Sequence, residues 1–236
     1  MRVLAIDTSS KVLGAAILDD EGREVEFRYD FELRHTSHLA PMIEDILEFA
    51  SLKFADIDAY CVSIGPGSFT GLRIGVATVK ALAAVDGKSV IGVPTLDVLA
   101  AGIEVFSGAV GVIIDAKKER FYAAFYTAKG DLLKKRSKDL LIDSGRLLQK
   151  IADHEEIVLL GDGIDKLRTQ GLIPGKATGG GVRIARREFW YPRPINVARL
   201  GLAMLKKGEV AQDVERLTPV YLHPLNVQCK KPQRSA

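Results

Sequence analysis

The chain is poor in residues that bind metals or crosslink. Two cysteines, Cys61 and Cys229, and four scattered histidines in 236 residues give neither a zinc spacing nor a disulfide framework. Cys61 lies in an apolar run and reads as a buried thiol, and Cys229 lies in a polar tail. His35 and His38 are three apart near a helix start with no third metal-type ligand nearby, so capping or a surface role is expected of them. No apolar run reaches the roughly 18 residues that a membrane helix needs. The first apolar segment, Val3–Ile6, is too short for a signal peptide and reads as a strand, so a cytoplasmic protein is expected. Charge of one sign is also scarce. The net charge of +3 is too weak to point to nucleic acid by itself.

What is present is ordinary globular composition, 47% apolar and 27% charged, in a chain long enough for one large domain or two small lobes. Val3–Ile6, Leu13–Leu18 and Glu24–Phe31 read as three strands, the second and third joined through the turn Asp19-Asp20-Glu21-Gly22. Leu39, Met42, Ile43, Ile46, Leu47 and Ala50 form one helical stripe, with Ser37 as its cap. Ala59–Ile64 is a fourth strand, Leu72–Val85 a helix, Ser89–Val93 a fifth strand, and Thr95 caps a further helix to Ile103.

The second half repeats this order. Setting Asp115 on Asp7 matches Ile114 with Ile6, Ala123-Ala124 with Ala15-Ala16 and Gly130 with Gly22, without a gap. A helix capped by Ser144 follows, then a strand Ile157–Leu160 ending in Gly161-Asp162-Gly163. Two βββαβα halves predict an α/β fold, the duplicated actin/Hsp70/sugar-kinase-like (ASKHA) architecture, with a reduced second lobe. Gly171 to Arg193 shows little periodicity, Val197–Lys207 is a final helix, and Pro219-Val220-Tyr221-Leu222 reads as a short strand. The expected division is an N-terminal actin-like lobe over 1–104, a C-terminal one over 105–222 that includes helix 197–207, and a basic tail over 223–236.

Gly65, Gly67, Gly71 and Gly75 precede or open an apolar helix, where phosphate cradles often lie. No Gly-Lys-Ser/Thr follows at Walker spacing, and Gly65, Gly67 and Gly71 carry one residue too many for G-x-G-x-x-G. A nucleophile elbow around Ser68 would need Gly at 66 or 70, and neither is glycine. In the actin-type cleft the first hairpin of each half holds phosphate through glycine backbone. Here those hairpins read Asp7-Thr8-Ser9-Ser10-Lys11 and Asp115-Ala116-Lys117-Lys118-Glu119, with no glycine. Asp7 and Asp115 either ligate Mg²⁺ through water or pin strand ends, the second being favoured. Lys117-Lys118 is an anion site or, more commonly, a solvated turn. The cleft, with Asp7, Thr8, Ser9, Asp115, Lys117 and Lys118, reads as vestigial, and no catalytic or metal residue is assigned.

The chain resembles the TsaB (YeaZ) family over nearly its whole length. The resemblance rests on Val3-Leu4-Ala5-Ile6-Asp7-Thr8-Ser9, on His38 with Leu39 and Pro41, and above all on Gly65-Pro66-Gly67-Ser68-Phe69-Thr70-Gly71-Leu72-Arg73-Ile74-Gly75. Asp115-Ala116-Lys117-Lys118 before Tyr122, and Pro219 with Tyr221-Leu222, also fit. Arg120 stands where the family usually has Glu, His223 where it often has Arg, and Lys117-Lys118 replaces an Arg pair. The resemblance implies a non-catalytic subunit for threonylcarbamoyladenosine synthesis on tRNA. Its partner TsaD is a catalytic paralogue of the same fold, and a small ATPase, TsaE, completes the complex. It implies no required cofactor, with ATP/ADP and Mg²⁺ confined to a complex interface. It implies tRNA contact through the complex, no membrane, and a homodimer when alone. Pairing through the two N-lobe helices makes Leu39, Ala40, Met42, Ile43, Ile46, Leu47, Leu72, Arg73, Val76, Ala77, Lys80, Ala81 and Ala84 the expected interface.

The residues supply a physical ground for that pairing. The helix Leu72–Val85 is apolar nearly all round, so the side away from its own sheet needs cover from a partner or from its own lobe. Ala77, Ala81 and Ala84 permit close approach. Elsewhere, Arg183, Arg186, Arg187 and Arg193 interleave with Phe189, Trp190 and Tyr191, which suits RNA but more commonly marks aromatics packed under a solvated rim. Lys134-Lys135-Arg136 and Lys138 are expected to face water. The tail Lys230-Lys231-Pro232-Gln233-Arg234 touches tRNA or only solubilises the chain. An actin-type kinase or ATPase is the alternative reading, disfavoured by the missing hairpin glycines. A peptidase lacks a nucleophile–base pair.

Overall fold

The computed structural model describes residues 1–30, 35–103, 107–129, 132–173, 181–208 and 214–222, without the side chains of residues 35–37 and 132. The tail calls, His223 and Cys229 lie outside these residues, and the Ser37 cap rests on a side chain outside them. Two mixed sheets form the two lobes. The first contains β1 (Arg2–Asp7), β2 (Val12–Asp19), β3 (Glu24–Asp30), β4 (Ala59–Gly65) and β5 (Ser89–Pro94) in the order β3-β2-β1-β4-β5. The second contains β6 (Gly108–Asp115), β7 (Arg120–Lys129), β8 (Leu132–Lys135), β10 (Glu156–Leu160) and β11 (Gly181–Ile184) in the order β11-β10-β6-β7-β8. β9 (Leu140–Asp143) also pairs with β7. In each lobe the early strands pair antiparallel and the two later strands run parallel to the first, so the two sheets have one topology. The duplicated ASKHA fold predicted from the sequence is the fold observed.

Each lobe inserts α1 (His35–Phe49) or α4 (Ser144–Ala152) before its central parallel strand, and α2 (Phe69–Asp86) or α5 (Gly163–Thr169) after it. The second-lobe helices are 9 and 7 residues long against 15 and 18, which is the reduction expected. Side-chain alternation splits the first sheet's faces. Leu4 and Ile6 pack with Leu39, Met42, Ile46, Val76 and Val79, so α1 and α2 lie side by side on one face. Val3 and Ala5 face the other way onto Ile195, Val197, Ala198 and Leu202 of α6 (Pro194–Lys206). Cover on both faces explains why β2 is buried at all eight positions and reads as a near-continuous apolar run.

That packing corrects the expected domain division. Helix α6 follows the second sheet in the chain but packs on the first. Conversely, Leu96, Leu99 and Ala100 of α3 (Thr95–Ala100) join the core of the second lobe. Asn196 donates to the Val98 carbonyl where α6 and α3 meet. Asp97 accepts from the Tyr126 hydroxyl at 2.6 Å and pairs with Lys135 at 2.7 Å, so α3 is pinned to β7 and β8. Lys135 is thus held between Asp97 and Asp139, unlike its exposed neighbours Lys134, Arg136 and Lys138.

Several local expectations change. Thr95 is the first helical residue of α3, with Pro94 before it, and its hydroxyl accepts the Gly65 N–H instead of capping. Asp143, not Ser144, caps α4 by accepting from Arg146 N–H. The third strand of the second half is split into β8 and β9. β11 and a 3₁₀ turn at Arg187–Phe189 lie in the segment that showed little periodicity. Pro219–Leu222 is no strand, although the Val220 N–H donates to the Ile64 carbonyl at 2.7 Å.

Candidate functional site

The glycine-rich turn joins β4 to α2, and its glycines face the first hairpin. A Cβ on Gly67 would lie 2.3 Å from the Ser9 carbonyl oxygen, and one on Gly71 would lie 1.9 Å from that of Thr8. These approaches are too close for any side chain. The Ser68 N–H donates to the Ser9 carbonyl at 2.7 Å, and the Thr8 hydroxyl donates to the Gly71 carbonyl at 2.7 Å. Ser68 also caps α2 by accepting the Gly71 N–H, a contact worth about 1 kcal/mol. The glycine turn therefore closes on the backbone of the first hairpin.

Asp7 is 1% exposed beneath this contact. It accepts from the Ser9 N–H, the Ser9 hydroxyl and the Ser63 hydroxyl. Burial pushes its pKa up despite these donors. A buried carboxylate with all its partners supplied by protein pins the end of β1. Asp115, its counterpart, is bonded to Lys117 and Lys166, each at 3.0 Å. Burial works to raise its pKa, and the two ammonium groups outweigh that and hold it below the usual carboxylate range. Asp162 accepts the Asp115 N–H, and burial raises its pKa. Lys117, Lys118 and Glu119 all have positive φ, so the second hairpin turns through three left-handed residues without glycine.

Between the lobes lies a cleft of about 790 Å³ lined by both hairpins, the signature turn, Thr95, Leu99, Tyr122, Asp162, Trp190 and Tyr191. Lys11 and Lys117 are its cations, already paired with Asp30 and Asp115. Among the described residues no group of three His, Cys, Asp or Glu is placed to hold a metal. The aromatic–basic loop packs against this cleft. Trp190 is buried with its indole N–H on the Ala185 carbonyl. Arg183, Arg187 and Arg193 pair with Glu156, Asp165 and Glu26. The loop thus has the packed, paired character that was favoured over an RNA platform.

The expected interface residues divide by burial. Leu39, Met42, Ile43, Ile46, Leu47, Leu72 and Val76 are buried in the chain's own first lobe. They hold α1 and α2 on the sheet and are not free for a partner. Ala40, Arg73, Ala77, Ala81 and Ala84 are exposed, as sequence spacing proposed. Val85, absent from the expected set, is 89% exposed at the end of the same stripe. Lys80 turns aside, donating to the Glu215 and Leu217 carbonyls. What sequence reading missed is this C-terminal strap, 214–222, lying along α2. Leu217 plugs the first-lobe core at 1% exposure, and Tyr221 accepts from Arg73 Nε at 3.1 Å. The apolar run Pro219–Leu222 was its only signal.

The family model described as TsaD, tRNA N6-adenosine threonylcarbamoyltransferase, matches residues 31–177. A tRNA threonylcarbamoyladenosine biosynthesis protein TsaB from Bacillus subtilis (strain 168) is 30% identical over 230 residues, covering 98% of this chain and 97% of that relative. The structure of YeaZ from Pseudomonas aeruginosa superposes with a TM-score of 0.76 at 24% identity, covering 94% of this chain and 99% of that one. An activator of the 2-hydroxyisocaproyl-CoA dehydratase from Clostridium difficile, solved with bound ADPNP, shares the fold at a TM-score of 0.51 and 8% identity, covering 94% and 100% of the two chains.

Proposed function

The chain belongs to the TsaB (YeaZ) family of tRNA threonylcarbamoyladenosine biosynthesis proteins, and from that premise we propose that it is the non-catalytic pairing subunit of the complex. Its work is to bind and activate a TsaD-like catalytic paralogue that transfers the threonylcarbamoyl group to N6 of the adenosine beside the anticodon. A TsaE-like ATPase joins the same complex, tRNA is engaged through it, and the chain self-associates when alone. No cofactor is required by this chain itself, and ATP/ADP with Mg²⁺ belongs to a complex interface.

The observation that carries this reading is the exposed stripe Arg73, Ala77, Ala81, Ala84 and Val85 on a helix whose opposite side is fully used by its own sheet. Small side chains let a second helix approach closely and bury apolar surface at about 25 cal/mol per Å². The occupied hairpins support the same reading. The Ser9 carbonyl and the Thr8 hydroxyl are already bonded to the signature turn, and Asp7 is sealed beneath it. The competing assignment, an actin-type ATPase or kinase, predicts micromolar ATP·Mg²⁺ binding with turnover by the isolated chain in titration calorimetry.

Ala77→Glu places a charge in the middle of the stripe. It is expected to abolish co-elution with the TsaD-like subunit while leaving the thermal midpoint of the chain unchanged, because position 77 is exposed. Co-elution of this variant at the wild-type level would show that pairing uses another surface.

A further inference from the structure

The α1–α2 face carries several exposed charges without an ion-pair partner among the described residues. Ion pairs are frequent in this chain, yet Glu44, Asp45 and Glu48 on α1 are exposed and enter none among the described residues. Arg73 on α2 is exposed and has no carboxylate partner among those residues either. It is nevertheless held in place. Its guanidinium carbon lies 4.0 Å from the centroid of the Phe69 ring, and its Nε donates to the Tyr221 hydroxyl at 3.1 Å. The Phe69 and Tyr221 rings are in turn 5.1 Å apart. A stacked arginine with one N–H committed keeps its remaining donors as a planar fork, already ordered, that fits a carboxylate. Arginine beside aromatic rings is also the composition of interface hot spots.

We infer that Arg73 is the electrostatic anchor by which a second copy of this chain docks, its guanidinium taking a carboxylate from the acidic row Glu44, Asp45 and Glu48 on that copy's α1. The inference rests on the reading of the α1–α2 face as a pairing surface and adds its specificity. Charge complementarity selects the occupant: one helix of the face offers a base with no carboxylate partner, and the other offers three unpaired acids and no exposed base among its described side chains. Tyr221 is a positioning residue, since it fixes the guanidinium and stands outside the stripe. Through it the C-terminal strap sets the geometry of the anchor.

The test is sedimentation equilibrium of the full chain at physiological salt. Arg73→Ala is expected to raise the dimer dissociation constant about tenfold or more. Arg73→Lys should lose most of this, because lysine keeps the charge but not the fork. The triple variant Glu44→Gln, Asp45→Asn, Glu48→Gln should lose about as much, and adding Arg73→Ala to it should cost nothing further. Ala77→Glu serves as the control for the face itself. If Ala77→Glu is monomeric while Arg73→Ala, or Arg73→Lys, self-associates like wild type, the anchor is wrong and the face survives. If Arg73→Ala weakens the dimer but the triple variant does not, the acids of α1 are not the partner and the inference falls. A wild-type chain that stays monomeric at high concentration overturns self-docking altogether. A dimer indifferent to Ala77→Glu overturns the face on which both readings stand.

Discussion

Asp7 and Asp115 occupy equivalent positions in the two halves, yet their carboxyl pKa values move in opposite directions. Asp7 is raised by burial, and Asp115 is held down by Lys117 and Lys166 against its own burial. An unfolded aspartate titrates at about 3.9. The contribution of Asp7 to stability is therefore fully present below about 3.9 and is lost as pH rises through its raised folded value. That of Asp115 is fully present above about 3.9 and is lost as pH falls through its depressed folded value. Urea midpoints measured across pH check both signs. Asp7→Asn should gain on wild type as pH rises from about 4, and Asp115→Asn should close its deficit as pH falls below about 4. Curves parallel to wild type for both variants would remove the pinning roles assigned here. The pairing of Asp7 with Asp115 is legible in the sequence by simple alignment of the halves. Their difference is not, because it depends on how deeply Asp7 is buried and on Lys166 reaching Asp115, both set only by the fold.

At the scale of elements, spacing was informative wherever one face of a helix meets one sheet. The stripe of α1 and the exposed positions of α2 follow from the 3.6-residue period. Helix ends were less legible. Thr95 and Ser144 have the chemistry of caps, but a neighbouring Pro94 or Asp143 starts the helix one residue earlier. The strap was the least legible feature. Its anchoring uses backbone carbonyls of Glu215 and Leu217 and one buried leucine, none of which has a period to detect. Leu217 fills the core between β4 and α2, so Leu217→Ala should cost about 2–5 kcal/mol in unfolding free energy by denaturant titration. A loss below about 1 kcal/mol would mean that the strap is a loose appendage and does not hold Tyr221 against Arg73.

For the whole molecule, duplication was readable and the exchange of helices was not. An amphipathic helix states that it has a buried face but not which sheet receives it, so α6 was assigned to the lobe that precedes it in the chain. Gly201 of α6 comes so close to Cys61 on β4 that a Cβ there would lie 2.3 Å from the sulfur. Cys61 is fully buried, and burial pushes its thiol pKa up to about 12. A chain carrying Cys229→Ser should therefore resist a thiol reagent under native conditions. A fragment of residues 1–104, which lacks α6, should label rapidly at Cys61 and fail to fold cooperatively. Equal protection in the two would mean that the first lobe is independent of α6.

The same exchange makes the two lobes one body, with α1 and α2 left on the outside and the first hairpin closed against the signature turn. The proposed role is to act through a paired catalytic subunit. The most direct test is threonylcarbamoylation of tRNA by the TsaD-like and TsaE-like partners, with wild-type chain, with Ala77→Glu, and without the chain. Transfer is expected only with wild type, and the chain alone should transfer nothing. Full transfer by the partners without this chain, or transfer by the chain alone, would contradict the account.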